Sequence, residues 1–155
     1  MAAKSDAALP ANDRELVITR VFDAPRHLVF QAWIDQAAAT RWWGPEGFTV
    51  EACAMDVRPG GAWSKRMRAP DGTAARMRGV YREITPPERL VFTMVHEHTP
   101  ELPETVVTLT FAEVGGKTEL TLRQAAFPSV AFRDSHVRGW SGALRRLAEH
   151  LGARP

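Results

Sequence analysis

The 155-residue sequence has a single cysteine, Cys53. One thiol excludes an internal disulfide and a zinc knuckle built from cysteines. Long apolar runs are missing too: nothing approaches the ~18–20 consecutive apolar residues needed to cross a bilayer. The opening Met1 to Asn12 is polar and alanine-rich, without the apolar centre of a secretory leader. Charge of one sign is not in excess, with 20 basic against 18 acidic residues and a net charge of +2. The concentrated basic stripe of a nucleic-acid-binding protein is therefore lacking. No internal repeat is found. These absences lead us to expect a cytoplasmic domain, monomeric or homodimeric, without nucleic-acid partners or membrane insertion.

What is present is ample for one core. The chain is 45% hydrophobic and 25% charged, which is ordinary for a single globular domain of this length. Residues 1–13, small and polar with Pro10, read as a flexible tail before a domain over 14–152. The longest helical pattern is at the other end. Val137, Trp140, Leu144, Leu147 and Leu151 recur in steps of three and four, one stripe of a helix. Asp134 or Ser135 offers an N-cap, and Gly152 a stop.

Earlier in the chain, alternation over 15–22 predicts a first strand. Asp23 as N-cap and Pro25 in the first turn predict a short helix over 26–35, and a second is expected to run from 36 or 37 to 43, stopped by Gly44-Pro45. Six strands follow over 48–55, 62–68, 75–84, 90–96, 105–114 and 118–126. They are separated by short turn sequences such as Pro70-Asp71-Gly72 and Gly115-Gly116. Short links imply antiparallel pairing, and an antiparallel sheet with one apolar face needs a cover. The C-terminal helix supplies it. The expected class is α+β: a curved antiparallel sheet of six to seven strands wrapped around one long helix.

Several stretches resemble a known family. They are Arg20 to Pro25, Val29 to Trp33, Arg41 to Pro45, Asp56 to Gly61, Pro70-Asp71-Gly72, Gly79 to Ile84 followed by Pro87 to Leu90, and Gly139-Trp140. Their order over roughly residues 15–151 is similar to that in the START-like (SRPBCC, helix-grip) superfamily, and within it the bacterial group related to the activator of heat-shock protein 90 ATPase. The resemblance implies a deep, largely apolar cavity between sheet and helix for a lipid-like or aromatic ligand. It carries over no catalytic set, since the matching motifs are turns, helix starts and core aromatics.

Inward parity on the strands supplies the cavity candidates. Trp63, Lys65 and Met67 share one face of their strand; Met77 and Tyr81 share another; Phe92, Met94 and His96 follow a third. Leu109, Leu122 and Gln124 complete the sheet's contribution, with His136 and Trp140 from the helix and Trp42 or Trp43 at the entrance. Lys65 either meets an acidic ligand group or lays its stem along the sheet with its ammonium at the rim. Gln124 either bonds a ligand or ties the end of the sheet to a loop. Trp140 is expected to divide packed core, from Leu144 to Leu151, from cavity, so that Trp140→Ala would alter binding more than folding. Arg138, Arg145 and Arg146 read as a solvated face. His96 and His98 share a strand face with Glu101 nearby, but the segment enters a proline-containing loop, so neither metal nor cofactor is expected.

Three functions follow. The first is non-catalytic carriage or sensing of a small apolar or aromatic molecule. The second is a cyclase- or hydratase-type enzyme using Lys65, Tyr81, His96 and Gln124. The third is a chaperone-binding module, as the resembled group's name suggests. The first is preferred because no nucleophile–base pair is evident.

Overall fold

A computed structural model describes residues 13–152, so nearly all of the expected tail over 1–13 lies outside the described residues. The elements run β1 (Glu15–Phe22), α1 (Arg26–Ile34), α2 (Gln36–Trp42), β2 (Thr49–Met55), β3 (Ala62–Arg68), β4 (Ala74–Thr85), β5 (Arg89–His96), β6 (Thr105–Val114), β7 (Lys117–Ala125) and α3 (Val130–Gly152). One curved, seven-stranded sheet has the order β1-β7-β6-β5-β4-β3-β2. Every pair is antiparallel. Strands β2 to β7 form a meander, and β1 closes beside β7. The helices α1 and α2 carry the chain from one sheet edge to the other.

Local chemistry accounts for the turns. Between β3 and β4, Asp71 accepts from the Thr73 N–H at 2.9 Å, and Gly72 takes φ +92°. Between β6 and β7, Gly115 and Gly116 take φ +57° and +81°. Two consecutive positive φ values are what a tight hairpin requires, and glycine adopts them without strain. Alternation then decides which face is buried. Val107, Leu109 and Phe111 of β6 face inward opposite Gln124, Leu122 and Leu120 of β7, all nearly inaccessible.

Helix starts differ from expectation. Asp23 does not cap α1: Pro25 occupies the N-cap position with no side-chain cap, and its carbonyl accepts from Leu28 and Val29. Asp35, at the junction, caps α2 instead, accepting from the Ala37 N–H at 3.0 Å. The α3 helix begins at Val130, a turn before Asp134 and Ser135, and the Ser129 hydroxyl accepts from Phe132 N–H at 3.2 Å. The apolar stripe hides this turn because its inward residues are mixed in character: Phe132, Ser135 and His136.

Candidate functional site

Helix α3 is packed core toward its C-terminus and cavity wall along one face of its N-terminal half. Leu144 and Leu147 are buried in the core, and Leu151 packs against it. One face of the first half, Phe132, Ser135, His136, Gly139, Trp140 and Ala143, instead lines a cavity of about 240 Å³. Those positions step by three and one, as one side of a helix does. Opposite them stand Met67 of β3, Met77 of β4, Met94 and His96 of β5, the loop residues His98, Thr99 and Leu102, and Trp43 to Pro45 after α2. The wall is mainly apolar, and four of its members are methionine or leucine side chains that adapt their shape readily.

The wall after α2 is held by a residue expected on the solvated face. Arg146 of α3 donates through Nη1 to the carbonyls of Trp43, Gly44 and Pro45 at 3.0–3.2 Å, and through Nη2 to Arg41 O at 3.4 Å. These acceptors lie in the last turn of α2 and just beyond it, Pro45 O also accepting from Phe48 N–H at 3.1 Å, and a planar guanidinium with several N–H groups serves them together. Arg145 does lie outside, paired with Glu46 at 2.8 Å. Close approach is permitted by small residues. A Cβ on Gly142 would come within 3.1 Å of the Glu46 nitrogen, and one on Gly44, whose φ is +101°, within 2.7 Å of Met67 Sδ.

Of the fifteen side chains singled out from the sequence, seven border the cavity: Trp43, Met67, Met77, Met94, His96, His136 and Trp140. Adjacent tryptophans diverge. Trp43 faces the cavity and its Nε1 donates to Met77 Sδ at 3.3 Å, whereas Trp42 is wholly buried with its Nε1 on Ala32 O at 3.0 Å. Trp63 lies beneath, donating to Thr93 O at 3.1 Å. That bond requires Gly79, because a Cβ there would stand 2.5 Å from the indole nitrogen. Tyr81, Phe92, Leu109 and Leu122 are buried core residues away from the cavity wall, Tyr81 edge-on to Phe92 at 6.3 Å.

Two polar candidates are held by protein groups. Lys65 is 5% exposed, and its ammonium lies 4.0 Å from the Trp43 ring centre and 4.4 Å from that of Trp63. It is buried short of the rim and meets no carboxylate among the described residues: the π faces of two indoles are its partners. Burial pushes its pKa down to about 8, with a small opposing influence from Cys53. Gln124 is fully buried and committed. Its Oε1 accepts from Trp140 Nε1 at 2.7 Å, and its Nε2 donates to Thr105 Oγ1 at 2.8 Å and lies 3.6 Å from Met94 Sδ. Trp140 is therefore bolted through Gln124 to β6, and it also packs on Trp43 at 5.3 Å.

The polar part of the wall is a histidine pair. His136 Nε2 and His96 Nε2 are 3.0 Å apart, and His136 Nδ1 is 2.8 Å from Phe132 O. Burial lowers both pKa values, that of His96 to about 4 with His136 and His98 as further causes; the bond to Phe132 partly opposes the shift at His136. Both rings are thus neutral at pH 7. Lys65, Tyr81, His96 and Gln124, the four groups named for catalysis, do not converge: only His96 reaches the cavity. Among the described residues, no three of His, Cys, Asp and Glu are grouped to hold a metal ion, and no helix is long and apolar enough to cross a membrane.

The missed wall residues come from three sources: helix α3, the loop after β5 that also brings His98, and Gly44-Pro45, which were read only as the stop of α2. Phe132, Ser135, Gly139 and Ala143 continue the helical stripe backwards and were legible by extending its period. Thr99 and Leu102 enter from the loop after β5, whose path no periodicity specifies.

Comparison with known proteins bears on the same architecture. No curated protein matches the chain. Among solved structures, protein CV1439 from Chromobacterium violaceum is 29% identical with a TM-score of 0.79, over 88% of this chain and 95% of that one. The AHSA1 (SPO3351) protein from Silicibacter pomeroyi is 26% identical with a TM-score of 0.76, over 89% and 97%. CalU16 from Micromonospora echinospora is 27% identical with a TM-score of 0.66, over 90% and 76%. The family model described as activator of Hsp90 ATPase homolog 1-like protein matches residues 23–152, all of α1 to α3. The chain belongs to that family, within the START-like helix-grip fold.

Proposed function

We propose that the protein binds a small, largely apolar molecule in the cavity between α3 and the sheet, as a non-catalytic carrier or sensor. The observation that supports this is the cavity itself, about 240 Å³ walled by Met67, Met77, Met94, Leu102, Phe132 and Trp140. Filled cores leave few voids larger than a water molecule. A dry apolar cavity of roughly 150 Å³ takes up a benzene ring, so this one suits a molecule of one to two rings. The catalytic alternative has less support, because its four polar groups are scattered. Chaperone binding follows from the family's name alone.

The test is a thermal-shift and calorimetric series of substituted benzenes and naphthalenes on the wild type and on Ala143→Leu. Ala143 is buried at the cavity wall, so leucine there fills space without touching the polar groups. The expected result is saturable stabilisation of the wild type and at least about tenfold weaker binding by the variant. Equal binding by both would place the ligand elsewhere; no binding by any member would sink the proposal.

A further inference from the structure

The histidine pair has a direction, and the direction selects a ligand. Phe132 O, as a carbonyl, can only accept a hydrogen bond, so His136 Nδ1, at 2.8 Å, carries its proton. A neutral imidazole then has its lone pair on Nε2. That atom faces His96 Nε2 at 3.0 Å, so the proton between them belongs to His96. His96 Nδ1 is thereby left as a lone pair. No described residue donates to it, and it is not sealed off. The helix carbonyl thus fixes, through two rings, the character of a nitrogen on a residue that borders the cavity.

We infer that the cavity favours an apolar molecule carrying one O–H or N–H donor, such as a phenol or enol, which donates to His96 Nδ1. An ether or ester of the same shape offers only acceptors and meets lone pair against lone pair. Ser135 and Thr99 also border the cavity, but a hydroxyl rotates to serve donor or acceptor and favours neither. The surroundings keep the pair neutral. His136 approaches from α3 with the Phe127 ring 4.8 Å behind it, the His98 ring is 5.9 Å from that of His96, and the cross-strand neighbour of His96 on β4 is Met77. Beyond Met77 on β3 is Lys65, its ammonium held on the indoles; Arg78 and Glu97 pair with each other at 3.3 Å. This selectivity rests on the ligand-binding reading above and adds a chemical class to it.

The experiment uses three probes of closely related shape, toluene, p-cresol and 4-methylanisole, titrated calorimetrically at pH 7. The expected order puts p-cresol about tenfold tighter than either of the others, the worth of one net hydrogen bond. His96→Phe is expected to abolish the preference, so that p-cresol binds the variant no tighter than toluene binds the same variant. His136→Phe removes the partner that fixes the His96 tautomer; His136 is a positioning residue, and its loss should reduce the preference without removing it. Long-range 15N–1H spectra of the unliganded wild type read the tautomers directly, with His136 protonated on Nδ1 and His96 on Nε2. Equal binding of all three probes, or the opposite tautomers, overturns the selectivity and leaves the cavity reading intact. Failure of all three to bind overturns both.

Discussion

Among the described residues Lys65 has no carboxylate partner, which makes it a sensitive reporter of its surroundings. An ammonium removed from water is destabilised, and two indole faces return only part of that loss. With the folded pKa lowered to about 8 and the unfolded value near 10.5, the unfolded chain binds the extra proton between those values. Stability should therefore rise with pH from about 8 to about 10.5, and the penalty is fully present below 8. The corresponding energy is on the order of 3 kcal/mol. Lys65→Met is expected to stabilise the protein by about 1–3 kcal/mol at pH 7 and to flatten this part of the profile. Urea unfolding of wild type and variant at pH 7, 9 and 10.5 measures it. A variant less stable than wild type at pH 7 would show that the indoles more than compensate.

Trp140, also at the residue scale, changes meaning once its bond to Gln124 is seen. Expected from the sequence to line a cavity and to matter for binding, it also anchors α3 to β6 through Gln124 and Thr105. Trp140→Ala should cost about 3–5 kcal/mol of stability. Trp140→Phe keeps most of the apolar bulk but orphans the Gln124 oxygen, at about 1–3 kcal/mol. The earlier expectation, binding altered more than folding, is replaced by this one. Denaturant midpoints of both variants decide between them: a loss under about 0.5 kcal/mol in each would restore the original reading.

At the scale of elements, α3 joins two jobs along its length. Leu144 and Leu147 hold the core, while one face of the preceding turns borders the cavity. Arg146 links the two by capping the carbonyls where α2 ends. A lysine at 146 cannot bridge that set, because its ammonium is compact and lacks the planar fork. Arg146→Lys is therefore expected to cost about 1–2 kcal/mol, and Arg146→Ala about 2–3 kcal/mol. Both should speed amide exchange at Trp43, whose own N–H bonds Ala39 O at the end of α2, more than in β6 and β7. Uniform exchange across the sheet would contradict this local role. The residue was misread because helical periodicity says which side of the helix it is on, not what loop arrives there.

Across the whole molecule, the proposed ligand uptake would be linked to stability. A ligand at 100 times its dissociation constant adds about 2.7 kcal/mol, several degrees in Tm for a domain of this size. The antiparallel meander of β2 to β7, the two hairpin glycine turns and the burial alternation of β3, β6 and β7 were legible in the sequence, because period-two patterning and turn residues are local properties; the pairing of β1 with β7 was not, because it joins the two ends of the chain. The element ends were less so: Asp35 caps α2, and Ser129 caps α3 although Asp134 and Ser135 offer the same capping oxygen a few residues on.

The amino-acid order alone determined which residues point inward, and from that the sheet, the covering helix and the family they resemble. Tertiary structure alone decided which inward residues meet each other and which meet empty space. Gln124, Lys65 and His96 are all polar residues of inward parity. Gln124 meets Trp140, Lys65 meets two indoles, and His96 meets His136 beside a cavity. Parity is set by the backbone of one strand, whereas a partner is set by how closely another element approaches it, and that distance is fixed only when the whole sheet has curved around α3.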